Sequence, residues 1–226
     1  MKIGIMQPYV FPYLGYFQLY NAVDLFISLE DVNYIKKGWI NRNKIMVNDK
    51  PSYITFPVKN ASQNRLINQH YIDWRGNWPE KMLKTIKHSY GRETYFDEVY
   101  PVIEDLFRRQ GEDCIAAFAM VALTHLGDLL GIKTETQWSL RYAKDGLKGQ
   151  DRLIDICKQS GATTYVNAIG GMEMYDQESF GDIDLRFIQR LDEENNLSII
   201  DILMRRGWDE TSKLLILRFV RSPADT

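Results

Sequence analysis

Residues 2–28, KIGIMQPYVFPYLGYFQLYNAVDLFIS, decide the fold. KIGIM is a short, mostly apolar run that stops at Gln7-Pro8, the pattern of a buried first strand. Tyr13, Phe17 and Tyr20 then recur at i, i+4 and i+7, with Leu14 and Leu19 beside them, and make one face of a helix. VDLFISL reads as a second strand, closed by the acidic pair Glu30-Asp31. Strand, helix, strand in this order predicts a parallel α/β sheet, with ligand loops at the carboxyl ends of its strands.

Working outward, WINRNKIMV and SYITFPV flank the turn signal NDKP and predict an antiparallel hairpin over about 39–58. Residues 59–79 are polar and rich in amides, without periodicity, and read as an ordered loop or lid. Helices follow near 80–130, forming a cap or side layer. Val99, Ile103, Leu106 and Phe107 give one stripe, and the residues from Ile115 to Leu130 another, ended by Gly131. KTETQWSL returns to the sheet. A helix from about Gln150 to Ser160 has Gly161 as its C-terminal cap. ATTYV and IDLRFI read as further strands, and LSIIDILMRRG as a late helix. The expected fold is α/β, with a mostly parallel Rossmann-like central sheet, an inserted hairpin and a helical layer, as one domain over 1–226.

Whole-chain figures exclude several classes. The 226 residues are 45% hydrophobic and 26% charged, as for a globular protein with a full core. A net charge of −2 gives no general attraction to nucleic acid or anionic membrane. Cys114 and Cys157 form no CxxC or Cys/His metal spacing, so a reduced, cytoplasmic chain without metal or cofactor is expected. No apolar run is long enough to span a bilayer, so membrane insertion is not expected.

The candidate site is Gln7–Asn43. Five aromatic residues fall among positions 7–17, at the end of the first strand. Gly15 allows close approach to the backbone, and the helix start after Pro12 favours an anion. Glu30-Asp31 arrive at the same sheet end, followed by Lys36, Lys37, Arg42 and the amides Asn33, Asn41 and Asn43. Cations for diphosphate, rings such as Tyr13, Tyr16 and Trp39 for stacking, and amides such as Gln7 for hydroxyls suit a nucleotide-linked sugar. The bland alternative is real: aromatics at helical spacing usually pack, and a lysine pair is usually a solvated face. Convergence within 37 residues favours the site. KGQDRL opens a helix, where Lys148 and Arg152 would assist an anion. NAIGG, with Asn167 and Gly170, has the form of an active-site loop but lacks P-loop or GxGxxG spacing. Either serves equally as a cap or a turn. His88, beside Ser89, is a weak candidate for a base, and no nucleophile motif accompanies it.

MQPYVFPYLGYFQL and DLFISLEDVNYIKKGWINRN, continuing through RLIDICKQSGATTYVN and LSIIDIL, resemble the WbqC-like family over nearly the whole chain. That resemblance implies bacterial surface-polysaccharide (O-antigen, lipopolysaccharide) biosynthesis, and a glycine (aminoacyl) transferase acting on an amino sugar. A more distant similarity is to nucleotidylyltransferases and class I synthetases with a HIGH motif. FPYLGYF would stand in the motif's place, with Gly15 kept and Tyr16 where the second histidine falls. Without the histidines, stabilisation of an adenylyl-transfer transition state is not expected. The resulting expectation is transfer of an aminoacyl group onto the amine of a nucleotide-linked amino sugar. Asp31 would be the base or amine-orienting group, Lys37 and Arg42 the phosphate or oxyanion contacts, and Gln7 and Asn43 the hydroxyl contacts. A charged tRNA, an ATP-activated amino acid and a carrier thioester remain open as donor. The alternative is a non-catalytic nucleotide-sugar-binding or scaffolding protein.

Overall fold

A first strand that is apolar on both sides can be stable only with partners on both edges and layers on both faces. In a computed structural model, which describes residues 1–109, 114–189, 196–216 and 218–220, β1 (Lys2–Met6) has all four. It pairs in parallel with β2 (Leu25–Ser28) on one side and β6 (Thr164–Ala168) on the other. The sheet order is β5-β2-β1-β6-β7-β8, where β5 is Glu135–Trp138, β7 Asp184–Gln189 and β8 Arg218–Val220. The first five are mutually parallel, and β8 runs antiparallel to β7. This is the expected mostly parallel sheet, with the segments 2–6, 24–28 and 163–166 side by side. The short edge strand β8 was not expected.

Alternation sends the side chains to two cores. Ile3, Ile5, Leu25, Ile27 and Tyr165 face α5 (Gly149–Ser160) and α6 (Gln177–Phe180). Phe26, Val166 and Ile188 face the larger core with α1 (Leu14–Ala22), α4 (Ile115–Leu129) and α7 (Ile199–Lys213). α2 (Trp78–Tyr90) and α3 (Phe96–Arg108) complete that side layer. α5 ends as expected on Gly161, in the left-handed conformation with φ 70°. α7 runs past the expected segment. It kinks at Gly207, whose φ of 70° and close contact with the Tyr95 ring leave no room for a side chain.

The hairpin is β3 (Arg42–Val47) with β4 (Lys50–Thr55), so residues 39–41 lead into it rather than belong to it. Asn48 and Asp49 both take positive φ in the two-residue turn that NDKP signals. Ile45 and Ile54 point into the core, while Arg42, Lys44 and Tyr53 share the outer face. Residues 59–77 carry isolated bridges and one 3-10 turn, Ile67–Gln69. NAIGG is not an open loop: Ile169–Met174 is a 3-10 helix leading into α6.

Candidate functional site

Every parallel strand ends on the same side of the sheet, and the chain reverses direction across it between β1 and β6. Such a reversal opens a crevice where the flanking connections part company, the usual ligand position in an open α/β sheet. Gln7 follows β1, Glu30-Asp31 follow β2, Ser139 follows β5, and Asn167 is the penultimate residue of β6. The starts of α1 and α5 belong to the same end, because each connects parallel strands.

Asp31 anchors a buried polar cluster. Its Oδ1 accepts from Ser139 Oγ at 2.6 Å, and its Oδ2 lies 3.2 Å from Arg152 Nη2 and 3.3 Å from Lys144 Nζ. Lys144 also donates to the Asp31 main-chain oxygen. Arg152 is fully buried in the first turn of α5. It donates further to the carbonyls of Ser139 and Tyr142, each at 3.0 Å, to that of Ala143, and to Asp155 at 3.3 Å. Its Nε has no partner among the described residues. Neighbouring Glu30 accepts from the backbone N–H groups of Ser139 and Leu140 at 3.2 and 3.1 Å. Burial pushes its carboxyl upward, against the pull of those two donors. Together these bonds fasten the 139–148 connection over the end of β2. A buried ion pair contributes little net stability, but removing one partner typically costs about 3–5 kcal/mol.

Beside this cluster lie uncommitted polar groups. The Gln7 side chain is half-buried and has no partner among the described residues, while its carbonyl accepts from the Tyr16 hydroxyl at 2.8 Å. Tyr9 packs on Tyr16 with ring centroids 5.6 Å apart. Burial pushes both phenols up, and proximity to Tyr13 adds to it. Asn167 is 8% exposed; its Oδ1 accepts from Ala168 N at 2.7 Å, and its Nδ2 has no partner among the described residues. Gly171 packs beside it: a Cβ there would lie 2.8 Å from Asn167 Nδ2 and make that side chain shift. Ser28 Oγ is buried and likewise has no partner among the described residues. The β1–α1 loop is held by Phe11, whose φ of 42° is unusual for a bulky residue. Its ring stacks on Phe107 at 5.5 Å, and its carbonyl accepts from Asn43 Nδ2 and Ser198 Oγ, each at 2.8 Å.

The expected site residues therefore divide. Gln7, Asp31, Arg152 and Asn167 gather at the sheet end, with Lys148 as the residue before α5 and Gly170 exposed in the 3-10 helix. Tyr13 precedes α1, and Gly15 and Tyr16 are buried in its first turn. The hairpin amides hold backbone: Asn41 accepts from the Tyr34 hydroxyl and donates to Phe56 O, both at 2.7 Å, and Asn43 holds Phe11. Asn33 is exposed and bridges to Leu66. Trp39 and Arg42 lie by the hairpin's outer face, and Lys36 and Lys37 are exposed in the turn that precedes it. Arg42 Nε donates to Gly38 O at 3.0 Å and another guanidinium nitrogen to Lys37 O, with the guanidinium 4.2 Å over the Tyr53 ring. The hairpin is tied to the β1–α1 loop by Val10 N donating to Ile40 O at 3.1 Å. Lys144, Ser139 and Ser28 carry no motif, and only the fold brings them to the site.

The fold is that of a doubly wound α/β protein, with polar side chains, some of them uncommitted, at the carboxyl ends of the strands around its switch point. Its sequence matches the model of the WbqC-like protein family over residues 7–213, and the chain belongs to that family. Uncharacterized protein Rv1507c of Mycobacterium tuberculosis (strain ATCC 25618 / H37Rv) is 27% identical over 188 residues, covering 82% of this chain and 80% of that one. No solved structure matches. Among the described residues, no helix is long and apolar enough to cross a membrane.

Proposed function

We infer that this protein is a transferase of bacterial surface-polysaccharide (O-antigen) biosynthesis, moving an aminoacyl group, glycyl by preference, onto the amine of a nucleotide-linked amino sugar. Family membership supports the setting. The carrying observation is the pair of side-chain amides at the ends of β1 and β6, Gln7 without a partner among the described residues and Asn167 with only its Oδ1 engaged. Uncommitted amides suit hydroxyl and carbonyl recognition, and the start of α5, with Lys148 as the residue just before it, suits a diphosphate. In the transfer, the amine nitrogen bonds to the acyl carbon, the donor's leaving group departs with its electron pair, and the amine gives up a proton. Asp31 is assigned to orient the amine or take that proton. Of its two cations, Lys144 is 34% exposed and is the one that can swing aside. Lys37 and Arg42 are assigned to phosphate contacts from the hairpin side.

One observation favours the non-catalytic alternative, a nucleotide-sugar-binding protein: both Asp31 oxygens are already engaged, by Ser139, Arg152 and Lys144. Incubation with UDP- or dTDP-amino sugars, glycine and ATP, or glycyl-tRNA, followed by mass spectrometry, separates the two. A glycyl adduct supports transfer. Sugar binding without an adduct from any donor leaves only the binding role.

A further inference from the structure

Net charge hides a sharp asymmetry in this chain. Between Asp31 and Asp73, residues 32–72 hold seven Lys and Arg and a single acid, Asp49. The segment is thus +6, while the rest keeps 21 Lys and Arg against 29 acids, or −8. Among the described residues none of these seven cations is in an ion pair, although ion pairs are common elsewhere in the chain. Unneutralised cations concentrated in one segment of an acidic protein are the electrostatic footprint of a polyanion site.

The outer face of the hairpin adds aromatic platforms. Tyr53 and Trp39 are 47% and 39% exposed, with ring centroids 6.2 Å apart. Lys44 is the cross-strand partner of Tyr53, its Nζ 5.1 Å from that ring and 5.8 Å from the Trp39 ring. Arg42 covers Tyr53 and is braced by the Lys37 and Gly38 carbonyls, which holds both in place. A β-ribbon that alternates cations with partly exposed rings matches the two needs of an unpaired polynucleotide strand, phosphate neutralisation and base stacking. An anionic membrane would want a contiguous apolar rim. Here the partly exposed rings of Trp39 and Tyr53 share their face with Arg42 and Lys44, so cations interrupt the apolar surface.

We propose that this hairpin face docks a single-stranded polynucleotide, with Lys36, Lys37 and Lys44 on phosphates and Tyr53 and Trp39 under bases. Docking stands on the face itself. That the strand is the unpaired end of a charged RNA donating the acyl group rests on the transfer reading above.

The test is fluorescence anisotropy of labelled 12-nucleotide oligo(U) and oligo(dT) against the whole protein across a salt series. Saturable binding that weakens with salt is expected. In the Lys36→Ala/Lys37→Ala/Lys44→Ala variant, affinity should fall at least tenfold and the salt slope flatten by about two, at about 0.7 per phosphate. Tyr53→Ala should weaken binding about fivefold or more at unchanged thermal stability. Replacing the exposed Lys133 and Lys158 instead should leave affinity within twofold. Stronger binding of oligo(U) than oligo(dT) identifies RNA as the partner, and the reverse identifies DNA. Absence of saturable binding at low salt, equal loss in the control variant, or binding only to vesicles rich in anionic phospholipid would overturn the proposal. RNA docking without a glycyl adduct would leave it standing and remove only the transfer reading.

Discussion

Replacing Asp31 with alanine tests whether the end of β2 is held by the buried cluster. The substitution removes the carboxylate from Arg152 and Lys144 and leaves the Ser139 hydroxyl without its acceptor. Arg152 stays buried and charged, but keeps the Ser139, Tyr142 and Ala143 carbonyls and Asp155. The cost therefore belongs at the lower end of the range for a broken buried pair, about 3 kcal/mol. In a chain of this size that lowers Tm by roughly 6–12 °C. Arg152→Met removes the cation and fills its space, so the double variant should be less destabilised than the sum of the singles, by about 1–3 kcal/mol. Urea denaturation followed by circular dichroism reads all three. A loss below about 0.5 kcal/mol for Asp31→Ala, or strict additivity, would refute the structural role. A gain in stability would mark Asp31 as kept for chemistry at the expense of the fold.

Three further outcomes follow from particular contacts. His70 is held below its ordinary range chiefly by burial, and its Nε2 accepts from Ser62 N at 3.1 Å, which requires the neutral ring. The unfolded chain therefore binds more protons than the folded one as pH falls below 6.5, so stability drops through that window until the folded ring protonates; His70→Gln should flatten the drop in urea titrations at pH 5 and 7. Burial pushes the Cys157 thiol up to about 12, leaving roughly one thiolate in ten thousand at pH 8, so native protein should show Cys157 unreactive to a disulfide reagent and urea should expose it. Gly207→Ala combines a positive φ with a Cβ 2.5 Å from the Tyr95 ring and should cost at least about 2 kcal/mol in denaturation.

Much of this fold is legible in the sequence because it depends on local patterns. KIGIM, VDLFISL and ATTYV are apolar runs too short for helices, and all three become neighbouring strands. Gly161 signals its cap by residue type, and NDKP its turn. β8 escapes because three residues on a sheet edge carry no period of their own. The site is legible only in part. Gln7, Asp31 and Asn167 stand at strand ends, and strand ends can be read. Partner choice cannot: Asp31 and Arg152 meet across 121 positions. Asn41 and Asn43 announce hydrogen bonding, but their types do not distinguish a ligand from the Phe56 and Phe11 carbonyls they hold. Lys144 sits in a connection without periodicity, where only the packing of α5 against β2 gives it meaning.

The central claim, a nucleotide-linked sugar bound at the switch-point crevice, is tested most directly by calorimetric titration of a UDP- or dTDP-linked amino sugar into wild type and Asn167→Leu. That substitution deletes the uncommitted Nδ2 together with the Oδ1 that accepts from Ala168 N. Loss of one buried hydrogen bond to the ligand, worth about 0.5–1.5 kcal/mol and more if a ligand group is left unsatisfied, should weaken binding several-fold to tenfold. Melting curves for the two proteins register the lost bond to Ala168 separately. Saturable heat with wild type and clearly weaker binding by the variant is the predicted result. No heat with wild type, or equal affinity in both proteins, would contradict it.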